Sequence, residues 1–263
     1  MAETLEQWVD SLQARGQYTI LRAQAVRESG LSPDTVKKAL PRLAQRKRVI
    51  KVKDYFYAVV PLEYQSAGAP PASWFIGDLM RAMRLPYYVG LLSAAAMHGA
   101  SHQQPQEFHI FTDRSVRPIA VGRTTIRFFA SKCVARAAVQ EMKTQTGMVR
   151  VSTPETTVVD LVRFAKSAGR LDHAASVISE LAPSLDSRYL LKAVRLVADV
   201  PNAQRLGYIL DQLRMRHLSD PIHKWIEHQG PRPIHLRTGP RITKAREDRR
   251  WHLLISRPIE IET

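Results

Sequence analysis

The sequence predicts an α+β chain, and three observations predict it. Apolar residues recur at helical spacing through the first 45 residues and again from 154 to 216. Alternating, β-branched and aromatic stretches stand near residue 50 and between 107 and 130. Between the two patterned regions, "LEYQSAGAPPAS", residues 62–73, clusters Pro, Gly, Ser and Ala and reads as a linker. The expected layout is a domain over 1–61, the linker over 62–73, and a larger α/β domain over 74–263 with a small antiparallel or mixed sheet and several helices.

The first 61 residues order themselves as helix, helix, turn, helix and two strands. Leu5, Trp8, Val9 and Leu12 give the first amphipathic helix. "TILRAQAVRESG" gives the second, ended by Gly30 as a left-handed cap. Ser32 before Pro33 is an N-cap followed by proline at the first helical position, opening a third helix whose Val36, Leu40 and Leu43 face a core. "RVIKVKDYFYAVV" then reads as two short strands joined near Asp54. This order is that of a winged helix-turn-helix.

Charge agrees with that order. The chain of 263 residues is 44% hydrophobic, enough for a core, and its 39 Lys and Arg against 24 Asp and Glu give a net charge of +15. A polyanionic partner is the first expectation, nucleic acid ahead of an anionic membrane surface. Residues 33–53 hold Lys37, Lys38, Arg42, Arg46, Lys47, Arg48, Lys51 and Lys53 against one acid, Asp34. Beside the capping Ser32, we assign Thr35, Lys38 and Arg42 to base edges, because they share one face of the third helix. Arg46, Lys47, Arg48, Lys51 and Lys53 suit phosphates, with Lys51 and Lys53 on a strand face opposite Ile50 and Val52, and Lys37 belongs to the same DNA-binding set. Pro41 removes a bond to the Lys37 carbonyl and should kink the helix.

The single cysteine, Cys133, excludes an internal disulfide framework and a Cys-rich zinc site, so a reducing compartment, the cytoplasm, is expected. "MAETLEQWVDSLQARG" lacks the charged and apolar regions of an export signal, and no run of about 18 apolar residues occurs. Neither export nor membrane insertion is expected.

In the larger domain, "WFIGDLMRAMRL" and "YVGLLSAAAMHGA" read as helices separated by a turn at Pro86. Strands at "EFHIFTD", "RPIAVG" and "TIRFFA" read as a meander, and "AARAAVQEMKTQTG" as a fraying helix. Helices follow at 154–168, 170–182, 186–199 and 202–216, the first opened by a capping box of Ser152 and Glu155. A last strand within 251–261 is expected to return to the sheet.

His98 and His102 have a helical metal-pair spacing, but Gly99 between them ends the helix and occupies the glutamate position of a zinc-protease motif; His109 lies in a strand. No metal and no cofactor are expected. Asp113 with Glu141 and Lys143 echoes a metal-dependent DNA-cleaving core, which requires all three side by side. Glycine-rich phosphate loops and serine-hydrolase elbows are absent. A non-enzymatic DNA binder is the leading reading. A DNA-processing enzyme using those three residues, and a general winged-helix regulator with a sensing domain, are the alternatives.

Nearly the whole chain resembles the AbiEi family of antitoxins. The resemblance is carried by the wing "YFYAVV", by "YYVGLLSAAAMHGASHQQPQEFHIFTDR", by "VSTPETTVVDLVR" and by "RRWHLLIS". Its most specific parts are Ser93, Ala94, His98 and Gly99, and then Pro154, Glu155, Thr157 and Asp160. Thr156 stands where relatives often have a basic residue. We expect these motif positions to be structural. The resemblance implies a toxin-antitoxin and phage-defence protein that represses its own operon by binding inverted repeats in double-stranded DNA. It would also counter a nucleotidyltransferase toxin without a stable complex. Two-fold operators then require a dimer or cooperative monomers on adjacent half-sites.

Overall fold

The computed structural model describes residues 4–100, 106–237 and 245–261. These form a mixed α+β chain with ten α-helices, none long and apolar enough to cross a membrane. The chain divides into two compact units. The first comprises Met1–Tyr88, Gln106–Val134 and Glu141–Arg150; the second comprises Val89–Pro105, Ala135–Gln140 and Val151–Thr263. The segment 62–73 therefore lies within the first unit.

In the first unit, α1 (Leu5–Ala14) starts at a capping box in which Thr4 and Gln7 satisfy each other's backbone amides. Strand β1 (Thr19–Leu21) precedes α2 (Arg22–Ser29), which Gly30 ends at φ 68°. Residues 19–21 were expected to be helical. They extend instead because Ile20 fills the core while Thr19 to Leu21 pair antiparallel with Ala58 to Phe56.

Helix α3 (Pro33–Gln45) starts at Ser32, whose hydroxyl accepts from the Thr35 amide, with proline at the head of the helix. Strands β2 (Val49–Lys53) and β3 (Phe56–Val59) complete a three-stranded sheet of order β1-β3-β2. Trp8, Val9, Leu12, Ile20, Val36, Leu40 and Leu43 form one core beneath it. Burying these side chains supplies about 1.5–3 kcal/mol each for the larger ones, which is what holds helices this short in place.

Trp74 ends the 3-10 turn Ala72–Trp74 and is met edge-on by Tyr18 at 5.0 Å and Tyr64 at 5.1 Å. Helix α4 (Ile76–Met83) follows, and its Asp78 accepts from the Thr19 hydroxyl at 2.6 Å. A six-stranded sheet is built from β4 (Tyr87–Val89), β5 (Glu107–Thr112), β6 (Ile119–Val121), β7 (Thr124–Ala130), β8 (Val139–Thr144) and β9 (Gly147–Ser152), in the order β6-β7-β5-β4-β9-β8.

Three expectations are corrected here. Residues 87–89 are a strand, since Tyr87, Tyr88 and Val89 are bulky sheet formers buried in the sheet interior, and the helix waits for Leu91. Strands β5 to β7 are no meander: β5 and β7 run parallel from Glu107↔Thr125 to Thr112↔Ala130, and β6 turns back antiparallel on the outside of β7. Residues 139–144 are the edge strand β8 and not a helix. Gly147, at φ 143°, turns the chain into β9, and the alanines that suggested a helix lie before the strand. Tyr88 stacks on Phe111 at 4.9 Å and Phe111 on Phe129 at 5.4 Å, tying β4, β5 and β7 together.

The second unit is built around α6 (Pro154–Arg163), buried at every position from Glu155 to Val162. Around it lie α5 (Leu91–Met97), α7 (Arg170–Leu181), α8 (Ser187–Val197) and α9 (Val200–Gln212). The start of α6 is shifted by one residue from the expected capping box. Thr153 is the N-cap, accepting from the Thr156 amide, so Pro154 takes the first helical position and Ser152 remains in β9.

Helix α10 (Arg216–Glu227) had no counterpart in the sequence reading because Pro221 interrupts it. Its buried stripe is Leu218, Ser219, Ile222 and Ile226. The C-terminal strand β12 (Leu253–Ile255) does not return to the six-stranded sheet. It pairs with β10 (Ile234–His235) and β11 (Arg246–Asp248) in a separate three-stranded sheet. Just before it, Trp251 lies fully buried against Gly207 of α9, where a β-carbon would come within 2.1 Å of the indole ring.

Candidate nucleic-acid interface

Helix α3 buries Val36, Leu40 and Leu43, and this fixes which of its side chains face solvent. Thr35, Lys37, Lys38 and Arg42 are all exposed, as is Lys47 just past the helix end. Lys38 and Arg42, four residues apart, lie one turn above the other on the outer face. Among the described residues, Lys37, Lys38, Arg42, Lys47 and Lys53 pair with no carboxylate.

The other cations of the run are partly neutralised. Arg46 donates to Glu6 at 3.2 Å and Arg48 to Asp10, both acids of α1. In the β2–β3 turn, Lys51 sits 2.8 Å from Asp54. That hydrogen-bonded pair raises the lysine above its ordinary pKa and lowers the aspartate below its own. These are surface pairs, and Arg46 keeps 70% of its side chain exposed. Such pairs contribute about 0–1 kcal/mol and weaken with salt, so a phosphate could displace the acids at little cost.

Two details depart from the sequence reading. Thr35 and Ser32 are engaged locally: the Ser32 hydroxyl caps α3 and lies 2.9 Å from the Thr35 hydroxyl. The β2–β3 hairpin does not alternate simply, because the register shifts between Lys51 and Lys53 around Val52. Lys51 is exposed, Lys53 half-buried, Val52 buried and Ile50 half-buried, so the expected sorting of two lysines against two apolar residues holds for Lys51 and Val52 only. Arg22, which the sequence reading passed over, donates to the Asp54 carbonyl and props the turn. Only its place at the first position of a helix facing a hairpin could have signalled this.

The family-motif positions lie in the second unit as a buried hydrogen-bonded cluster. His98 caps the end of α5, and Gly99 follows at φ 83°. The His98 Nε2 is 2.7 Å from the Ser152 carbonyl; a carbonyl only accepts, so this nitrogen carries the proton. The Ser152 hydroxyl reaches the Val89 carbonyl at 3.2 Å and the Thr157 hydroxyl at 2.7 Å, and Thr157 donates to the Thr153 carbonyl at 2.9 Å. Glu155 accepts from the Asp186 amide at 3.2 Å, and Asp160, almost fully buried, pairs with Arg163 at 3.0 Å. Ser93 is buried on α5.

The alternative chemistry does not assemble. His102 lies outside the described residues. His109 is buried with its Nε2 3.4 Å from Glu107, and burial holds its pKa below the ordinary histidine value. Glu141 and Lys143 do share one strand, β8, against the helical expectation. That strand is the far edge of the sheet, three places from β5, after which Asp113 stands. At about 4.8 Å per strand this is roughly 14 Å, too far for one metal ion. Among the described residues no group of three or more His, Cys, Asp or Glu could hold a metal.

Residues 88–212 match the family described as AbiEi antitoxin C-terminal domain. No curated protein matches the chain in sequence. The crystal structure of RV2827C protein from Mycobacterium tuberculosis is similar in fold. Its TM-score is 0.69 at 15% identity, over 97% of this chain and 92% of that one. The antibiotic-resistance factor ANT(2'')-Ia covers 59% of this chain and 92% of its own, with 13% identity and a TM-score of 0.27, too low to bear on the fold.

Proposed function

We propose, on the match of residues 88–212 to the AbiEi antitoxin C-terminal domain, that this chain is a DNA-binding antitoxin that represses its own operon. The observation that carries the DNA reading is the row of exposed, carboxylate-free cations on and beside α3: Lys37, Lys38, Arg42 and Lys47. A helix of 13 residues with its inner face anchored and its outer face cationic suits the major groove, with the β2–β3 turn as the wing over the backbone. The N-terminal 61 residues act as the winged helix-turn-helix reader, on inverted repeats occupied by a dimer or by cooperative monomers. The partner to be countered is a nucleotidyltransferase toxin, opposed without a stable complex. The protein works in the cytoplasm, as a repressor in phage defence and not as an enzyme.

The test is fluorescence anisotropy with duplex DNA from upstream of the gene. K38A/R42A should weaken binding about tenfold to a hundredfold, while R46A, whose guanidinium already rests on Glu6, should weaken it less. Each lost phosphate contact should flatten the salt dependence by about 0.9 in logarithmic slope. Unchanged affinity in K38A/R42A refutes the assignment. Nicking of plasmid DNA by the purified protein with Mg²⁺, if abolished in D113A, would restore the enzyme reading.

A further inference from the structure

The second unit contains a cleft of about 980 Å³ lined by Arg163, Lys166, Arg170, Arg205 and Arg237, with no carboxylate among the described residues of its wall. We propose that this cleft binds a nucleoside di- or triphosphate. The charges that compensate each cation decide the point. Arg163 is answered by Asp160 at 3.0 Å, and Arg237 by Asp172 through two bonds of 2.6 and 2.7 Å. The remaining three have no counter-ion in contact. Lys166 and Arg170 are exposed and pair with nothing among the described residues.

Arg205 is the unusual one. Its guanidinium donates to the Leu236 and His235 carbonyls and to the Asn202 side-chain oxygen, each at 2.9 Å, and more weakly to the Pro201 carbonyl. Every partner is neutral. Burial pushes its pKa below the ordinary arginine value, with only the field of Asp199 opposing. These bonds occupy four of its five N–H groups, so the half-buried guanidinium is fixed in place and offers an anion its charge and one Nη2 hydrogen, and a bound anion would relieve the cost of keeping that charge out of water.

The uncompensated charge of the wall, three cations, matches the two to four negative charges of a diphosphate or triphosphate better than that of a single phosphate. Two other features fit the rest of such a ligand. Phe164, with the Arg163 guanidinium 5.2 Å from its ring centre, gives the cleft an apolar edge for a planar base. Helix α7 starts at Arg170 without a side-chain cap, and the acid of its first turn, Asp172, is taken up by Arg237. The buried Nε of Arg237 also lacks an acceptor.

The reading stands apart from the DNA proposal, since none of these residues lies in α3 or the wing. It is tested on the full chain by isothermal titration with ATP, GTP, ADP, pyrophosphate and the matching nucleosides. Saturable one-to-one binding of a nucleotide is expected, with the nucleoside at least about a hundredfold weaker and pyrophosphate alone about tenfold weaker than the nucleotide. K166A/R170A removes two exposed side chains that hold nothing in the fold, and should weaken the nucleotide about tenfold or more. R205K retains the charge but loses the bonds that hold it against the Leu236 and His235 carbonyls, and should also weaken the nucleotide.

No binding at millimolar nucleotide, or equal binding in K166A/R170A, overturns the proposal. So does a duplex DNA whose affinity falls in K166A/R170A when no nucleotide binds, because the cleft would then be a nucleic-acid contact. Loss of operator binding in K38A/R42A with nucleotide binding intact separates the two readings.

Discussion

The contact between Gly207 and Trp251 offers the sharpest test of the second unit's packing. In Gly207→Ala the new β-carbon would stand 2.1 Å from two ring carbons of Trp251 and 2.6 Å from a third. Carbon atoms prefer about 3.5–4.0 Å, so the ring must retreat by roughly 1.5 Å. Three bonds resist that movement. The indole Nε1 donates to Asp211 at 2.8 Å, the Trp251 amide donates to Asp248 at 2.9 Å, and the Trp251 carbonyl accepts from Gln204 at 2.9 Å.

Overpacking of this kind costs about 1–3 kcal/mol, and losing the bond to a charged acceptor about 1.5–3 more. Alanine returns about 1 kcal/mol through helix propensity. The net loss is about 1.5–5 kcal/mol, which for a domain of this size lowers the melting temperature by roughly 3–20 °C. Calorimetry or urea unfolding followed by near-ultraviolet dichroism reads it. A double variant with Trp251→Leu should lose less than the sum of the single changes, because the added methyl then has room. If Gly207→Ala is as stable as the parent, or more stable as propensity alone would have it, the close packing of α9 on Trp251 is wrong.

Two further outcomes follow from the hydrogen bonds. His98→Ala leaves the buried Ser152 carbonyl with only a 3.4 Å contact from Thr157. It should cost about 1–3 kcal/mol in urea unfolding without changing the affinity of α3 for DNA; unaltered stability would remove His98 from the structural cluster. Asp172 is held below the ordinary carboxylate pKa chiefly by its hydrogen bonds to Arg237. A lowered folded value contributes stability that is complete above the unfolded pKa and is lost as pH falls through the folded one. Asp172→Asn should therefore be less stable than the parent at neutral pH, with the difference closing below about pH 4; a gap that persists unchanged into acid would contradict it.

Local rules were legible where local physics decides. The cap at Ser32, proline at the head of α3, the left-handed end at Gly30 and the stripe of Val36, Leu40 and Leu43 stand as the sequence implies. A cap or an amphipathic stripe involves residues within one or two turns, so spacing alone carries it. The end of α5 at His98 and Gly99 is a further case.

What only the tertiary structure decided concerns partners distant in sequence. Three of the eight cations in the basic run meet acids outside the run, two in α1 and one in the β2–β3 turn, and no count over residues 33–53 could show that. Residues 19–21 and 139–144 became strands because a sheet edge offered hydrogen bonds their own neighbours could not, which outweighs a propensity difference of less than about 1 kcal/mol per residue. The separation of Asp113 from Glu141 and Lys143 was set by strand order, and the cleft around Arg205 by four helices and turns meeting. Sequence fixes what each segment prefers along its own length; which charges are left uncompensated depends on how the segments pack.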